Sequence, residues 1–113
     1  MPKSDRARLQ HILEAARKAL ELSAGRTRAD MNTDEALRFA LIHLLELVGE
    51  AATGVSSELR QAEPTIPWAK VIALRNRLIH GYFDVDLDIV WDTIQTRLPD
   101  LIEAVEAVVV RTE

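Results

Sequence analysis

The stretch IPWAKVIALRNRLIHGYFDVD, Ile66–Asp86, holds a helix start, a helix stop and the start of a second helix. Pro67 stands where the first of these helices should begin, since proline suits the first helical position. PWAKVIALRNRLIH then reads as a long helix ending near His80, with Gly81 as a natural residue just past its end. YFDVD leaves that helix, and Asp86 or Asp88 starts the last one. Two arginines, an asparagine and a histidine crowd the closing turns. The rest of the chain is ordinary amphipathic helix, so a functional reading begins here.

Working outward, the first helix is expected from about Ser4 to Ser23. Leu9, Ile12, Leu13, Ala16 and Leu20 recur at helical spacing, Ser4 is its expected N-cap with Asp5 in the first turn, and Gly25 its expected stop. GRTRADMNTDE reads as a polar loop. The second helix is expected to begin near Asn32 or Thr33, where Asn32 and Glu35 resemble a capping box, and to run to about Thr53. Its stripe of Leu37, Leu41, Leu44, Val48, Ala51 and Val55 is widened by Ala40 and Leu47, as in a central helix or one that also faces a second subunit. GVSSELRQAEPTIPW is a break with room for one short helical turn. Val90, Ile94, Leu98, Leu101, Val105 and Val108 form the buried face of the last helix, which Pro99 should kink or interrupt. The expected fold is all-α, an up-and-down bundle of four main helices with room for a fifth short one, in a single domain spanning 1–113.

Composition agrees. The chain has 113 residues, 48% hydrophobic and only 4% aromatic, so the core should be aliphatic. Four glycines and four prolines do not fit a low-complexity chain. The absence of cysteine excludes disulfide and thiol chemistry. MPKSDRARLQ has no apolar run behind it, and no apolar stretch approaches the ~20 residues of a membrane span, so a cytoplasmic location is expected. The formal net charge of −4 argues against non-specific binding to nucleic acid. Yet residues 60–80 carry Arg60, Lys70, Arg75 and Arg77 against Glu63 alone, while residues 81–113 are strongly acidic. A cationic site inside an acidic protein suits a specific anion.

Arg75 and His80 are five residues apart. On a helix that leaves roughly 140° between them and a rise of about 7.5 Å. They converge only if the helix unwinds at Gly81 or if two copies of the helix pack across a dimer axis. In the second case each site is lined by two His80 and two Arg75. A histidine can take and return a proton near neutrality, and an arginine offers a planar fork of donors to phosphate oxygens. Cleaving RNA without a metal requires those two functions: a base for the 2′-hydroxyl proton, and a cation for the charge that builds on phosphorus. Asn76 could position a phosphate oxygen or hold the imidazole. Simpler readings stand beside this. A histidine at a helix C-terminus is commonly a dipole partner, Arg75 and Arg77 could pair with Asp84, Asp86 or Asp88, and Tyr82 and Phe83 could be core aromatics.

The whole string narrows the choice. Pro67-Trp68, Arg75-Asn76, Ile79-His80, Tyr82 and Val85-Asp86 occur in the order that marks the HepT-like toxins, a branch of the HEPN superfamily, which this segment closely resembles. LLELVGEAA, Leu44–Ala52, resembles that family's upstream Gly-Glu-Ala helix, and IVWDTIQTRLPDLIEAV its last helix. The resemblance implies a helical bundle that dimerises through its motif-bearing helices, with a composite site at the interface. It implies a metal-independent endoribonuclease, needing no cofactor, that is the toxin of a toxin–antitoxin pair. By the same resemblance Arg75 and His80 are catalytic and Asn76 supports them. Tyr82 accepts AMP from a cognate minimal nucleotidyltransferase antitoxin, which silences the toxin. RNA is then the substrate, and the partners are a second copy and the antitoxin, in a dimer or a larger hetero-oligomer; from the local basic charge, Arg77 and Lys70 are candidate further phosphate contacts.

Other sites are weaker. His43 and Glu46 lie one turn apart, but no second such pair accompanies them, so no metal site is expected. Glu50 is expected either in water or pointing at the basic motif as a salt-bridge partner. Against the ribonuclease stand two other readings: a non-catalytic helical binding or scaffold subunit of a nucleotidyltransferase complex, and a free-standing bundle that binds a small molecule.

Overall fold

The computed structural model describes residues 1–81 and 84–112. Among these residues there is no strand. The helices are α1 (Lys3–Ser23), α2 (Asp30–Thr33), α3 (Glu35–Thr53), α4 (Ser57–Ala62), α5 (Trp68–His80), α6 (Leu87–Asp92) and α7 (Leu98–Arg111). A π-helical turn, Thr93–Arg97, joins α6 to α7 without a break. The expected four main helices are therefore α1, α3, α5 and the composite α6–α7, and α4 is the short extra one.

α3 is the central helix, with α1 along one side and α5 along the other. The C-terminal helix packs against α1 and makes little contact with α5. Leu9, Ala16, Ala19, Leu41, Ala52, Val90, Ile94 and Val105 are fully buried in one continuous core. The alanines on α1 and α3 allow the two helices to approach closely, which explains why an aliphatic core suffices.

All six positions expected on the last helix are buried. Pro99 does not break it. Proline has no N–H to return to the carbonyl of Gln95, and the helix accommodates the loss with one wide turn, in which the Leu98 N–H donates to the Thr93 carbonyl. Pro99 then falls in the first turn of α7, where it is tolerated.

Several local expectations are corrected. Ser4 is inside α1 and does not cap it: the cap position is Pro2, whose carbonyl accepts from the Arg6 N–H. Asp34, not Asn32, caps α3. Its extended backbone lets its carboxylate accept from the Leu37 N–H at 3.0 Å, whereas Asn32 lies in α2 and accepts from Arg28. The loop expected around it contains α2, with Met31 fully buried. Pro67 is the cap of α5, one residue before the helix, because its ψ of 65° is not helical. Trp68 fixes that start by donating its indole N–H to the Glu63 carbonyl. Gly81 follows α5 with a φ of −108°, so the helix ends without a left-handed residue. Gly25, at φ +73°, is the left-handed stop expected after α1. On α3, Leu47 is 42% exposed and Leu45 is buried in its place.

The loop ahead of α3 is held by charge. Arg26 donates to both Asp30 and Asp34. The Thr27 N–H, then Arg26, holds the Asp30 carboxyl below the usual carboxylate range, and Arg26, then the Leu37 N–H, does the same for Asp34.

Asp5 has a role that its place in a first turn does not reveal. Its carboxylate is 2% exposed and accepts from the Ser56 N–H at 2.8 Å and the Ser56 hydroxyl at 2.6 Å. It thereby fastens the α3–α4 connection to α1, while the same hydroxyl caps α4 by accepting from the Leu59 N–H. Replacing Asp5 by alanine leaves both Ser56 donors without that acceptor. The expected cost is about 2–3 kcal/mol, read as a lower denaturation midpoint at unchanged slope.

Candidate functional site on α5

Three faces of α5 meet different surroundings. Trp68 and Leu78 are buried, with Val71 half-buried between them. Arg75 belongs to this inward side, with 27% of its side chain exposed. Its stem lies directly against Gly49 of α3. A Cβ at Gly49 would stand 2.1 Å from the Arg75 Cβ and 2.8 Å from its Cγ. The missing side chain is what lets the arginine enter there.

The guanidinium then turns outward along α3. It donates to Glu50 and, at 2.7 Å, to the Asn76 side-chain carbonyl. The Arg75 Nε is buried and has no partner among the described residues. Glu50 thus takes the expected place beside the basic motif. Asn76 accepts from the arginine, and among the described residues it makes no bond to the imidazole. The pairing of Arg75 with Asp84, Asp86 or Asp88 is not formed, and Asp88 binds Arg28 instead.

His80 is the last residue of α5 and is exposed. Among the described residues its side chain makes no hydrogen bond and no ion pair. Within one chain Arg75 faces α3 while His80 faces solvent, as the rotation of about 140° requires. Tyr82 and Phe83 lie outside the described residues.

On the Arg75 side, α5 carries the half-buried Ile72 and Ile79. The neighbouring row of α3 carries Phe39, 58% exposed, then Ile42, Glu46 and Glu50, spaced at three and four residues. Ile72 and Ile79 stand three and four residues from Arg75 on α5, so they share its side of the helix.

Lys70 and Arg77 lie on the opposite flank of α5. They are exposed and border a groove of about 470 Å³ between α5 and the C-terminal helix. Among the described residues no group of three His, Cys, Asp or Glu side chains could hold a metal ion. No described helix is long and apolar enough to cross a membrane.

Sequence reasoning singled out Arg75, Asn76, His80, Lys70 and Arg77 as candidates, all of which the structure places on α5. It missed Gly49 as a packing requirement, because its partner is on another helix. The one signal available was a glycine in the middle of an otherwise strong helical pattern, which costs about 1 kcal/mol relative to alanine and so calls for a reason.

The family model described as "Ribonuclease HepT-like" matches residues 12–108. "Putative RNase TTE0752" of Caldanaerobacter subterraneus subsp. tengcongensis is 33% identical over 106 residues, covering 94% of this chain and 95% of that protein. "Putative RNase MJ1380" of Methanocaldococcus jannaschii is 33% identical over 109 residues, covering 96% of this chain and 100% of that protein. "Probable ribonuclease HepT" of Thermococcus cleftensis is 33% identical over 101 residues, covering 89% of this chain and 92% of that protein. No solved structure matches.

Proposed function

The chain belongs to the HepT-like ribonuclease family, and from that premise we propose that it is a metal-independent endoribonuclease, acting as the toxin of a toxin–antitoxin pair. The observation that carries the reading is the state of the two motif residues. Arg75 is held by Gly49, Glu50 and Asn76, and His80, exposed at the helix end, has no side-chain hydrogen bond or ion pair among the described residues. One group is pre-organised for charge and the other is accessible for proton transfer.

In the proposed reaction His80 takes the proton of an RNA 2′-hydroxyl. The 2′-oxygen bonds to phosphorus and the bond to the 5′-oxygen breaks. The departing oxygen takes up a proton, leaving a 2′,3′-cyclic phosphate and a 5′-hydroxyl. Arg75 carries the negative charge that builds on the phosphoryl oxygens. Because the two side chains diverge within one chain, the complete site forms between two copies that bury the Phe39, Ile42, Ile72 and Ile79 patch. Ile72 and Ile79 flank Arg75 on α5, so burying them also excludes water from the guanidinium. Both steps occur in the cytoplasm.

Tyr82 is proposed as the acceptor of AMP. Its hydroxyl attacks the α-phosphorus of ATP on a nucleotidyltransferase antitoxin, and pyrophosphate leaves. A phosphate two residues from His80 competes with RNA for Arg75. Incubated with that enzyme and ATP, the wild type should gain the mass of one AMP and stop cleaving, while Tyr82→Phe should gain nothing and remain active. Modification of Tyr82→Phe to the same extent would remove Tyr82 from this role.

The deciding assay for the activity is cleavage of RNA by the purified chain in excess EDTA, with end-group analysis of the products. Cyclic phosphate ends at an undiminished rate are expected. Activity that disappears on chelation and returns with magnesium would overturn the metal-independent mechanism. The non-catalytic reading, a binding subunit for a nucleotidyltransferase, has one observation in its favour: Arg75 is already paired with Glu50, and a phosphate must share or displace that carboxylate.

A further inference from the structure

Most arginines of this acidic chain are matched. Arg17, Arg26, Arg28, Arg38, Arg75 and Arg111 each lie within ion-pair distance of a carboxylate. Lys3, Arg6, Arg8, Arg60, Lys70, Arg77 and Arg97 have no such partner among the described residues, and of these Lys70, Arg77 and Arg97 are exposed and lie together. These three line the same groove. They come from two helices, Lys70 and Arg77 from α5 and Arg97 from the π-helical turn. Asp100 is the one acid on its border.

The floor and walls of the groove are aliphatic: Leu45 and Val48 of α3, Val71 and Leu74 of α5, Leu98 and Leu101 of α7. It exists because α5 leans on α3 and scarcely touches the C-terminal helix. A volume of about 470 Å³ is in the range of small-ligand sites. An apolar trench ringed by unmatched cations fits a molecule with flat, weakly hydrated parts linked by anionic groups. Single-stranded RNA is such a molecule.

Position favours RNA as well. Lys70 and Arg77 are on the helix that carries Arg75 and His80. Along α5, His80, Arg77 and Lys70 are separated by rises of about 4.5 and 10.5 Å, so a strand held at His80 runs beside the groove. The apolar patch proposed for the second copy is on the other flank of α5, which leaves the groove open. The π-helical turn, a feature often found at functional sites, supplies both Thr93 and Arg97 to the wall.

We propose that the groove between α5 and the C-terminal helix is a subsite for nucleotides flanking the scissile bond. Bases lie in the aliphatic trench and phosphates lie on Lys70, Arg77 and Arg97. The trench has few polar groups, and the Thr93 hydroxyl already donates to the Ile89 carbonyl. The subsite therefore tolerates any base and adds affinity without sequence choice. This rests on RNA being the substrate, and it concerns binding at residues away from Arg75 and His80.

The test uses a fluorescein-labelled eight-nucleotide single-stranded RNA, with binding read by anisotropy in EDTA on full chains that also carry His80→Ala. Arg97→Glu should weaken binding roughly tenfold and lower the salt slope by about 0.7 per lost phosphate contact. Ala104→Phe, which fills the groove wall without changing charge, should weaken binding at an unchanged slope. Arg8→Glu, a charge reversal away from the groove, should have little effect. Arg97 is on the surface, so its variant folds even if Ala104→Phe does not. Equal oligonucleotide affinity in wild type, Arg97→Glu and Ala104→Phe overturns the proposal and leaves the groove to a protein helix with acidic flanks. An equal loss in Arg8→Glu also overturns it, since net charge alone would then explain binding. If the wild type cleaves no RNA but the groove variants still lose affinity, the catalytic reading fails and the subsite stands.

Discussion

His80→Ala should abolish growth arrest on expression without a partner gene, and should slow RNA cleavage by roughly 10²–10⁴-fold, the usual worth of a positioned acid–base group. Its place at the end of α5 makes this substitution clean. His80 is exposed and, among the described residues, makes no side-chain bond that folding depends on. The melting temperature should therefore stay at the wild-type value. Loss of activity with an unchanged melt is a chemical loss. Arg75→Lys provides the companion measurement. It keeps the charge but loses the fork that reaches Glu50 and Asn76 together, so it should reduce the cleavage rate and disturb packing against Gly49 as well. If His80→Ala arrests growth as the wild type does, proton transfer by this residue is not the source of toxicity, and the binding-subunit reading takes precedence.

The helical framework was legible because helix period is a local property. Val90, Ile94, Leu98, Leu101, Val105 and Val108 are separated by threes and fours, and all are buried even with Pro99 among them. The caps were less legible. Asp34 and not Asn32 caps α3, because Asp34 has the extended backbone while Asn32 lies within α2, and Arg26 reaches across the loop to Asp30 and Asp34. The choice between Leu45 and Leu47 has a similar cause. Both fit a wide stripe, and only the positions of α1 and α5 on either side of α3 decide which one is covered. Contacts between distant residues left no local trace at all. Asp5 meets Ser56 and Met31 is fully buried, yet neither stands out from its neighbours in sequence. At the site, Arg75, Asn76 and His80 stood out as candidates by residue type. The groove beside Lys70 and Arg77 did not, because it is a gap between helices.

Gly49→Ala should be the most damaging conservative change in the chain. In an exposed helix this substitution would stabilise by about 1 kcal/mol. Here the new Cβ would stand 2.1 Å from the Arg75 Cβ, 2.8 Å from its Cγ and 3.2 Å from the Val71 carbonyl oxygen. Rotation of the Arg75 side chain cannot move its Cβ, so α5 must shift away from α3. Since among the described residues α5 has only α3 as a substantial packing partner, that shift exposes Trp68 and Leu78 and pulls Arg75 away from Glu50. Overpacking of this kind typically costs about 1–3 kcal/mol, and the cost should exceed the helical gain. Gly54→Ala is the contrasting case. The three atoms nearest its Cβ would all belong to the Arg8 side chain, with Nε at 2.6 Å, and that exposed arginine can swing clear. Thermal melts should therefore show Gly49→Ala well below wild type and Gly54→Ala close to it, and RNA cleavage should fall only in the first. Equal melting of the two variants would mean that α5 yields at little cost, and the seating of Arg75 against Gly49 would then not be what pre-organises the site.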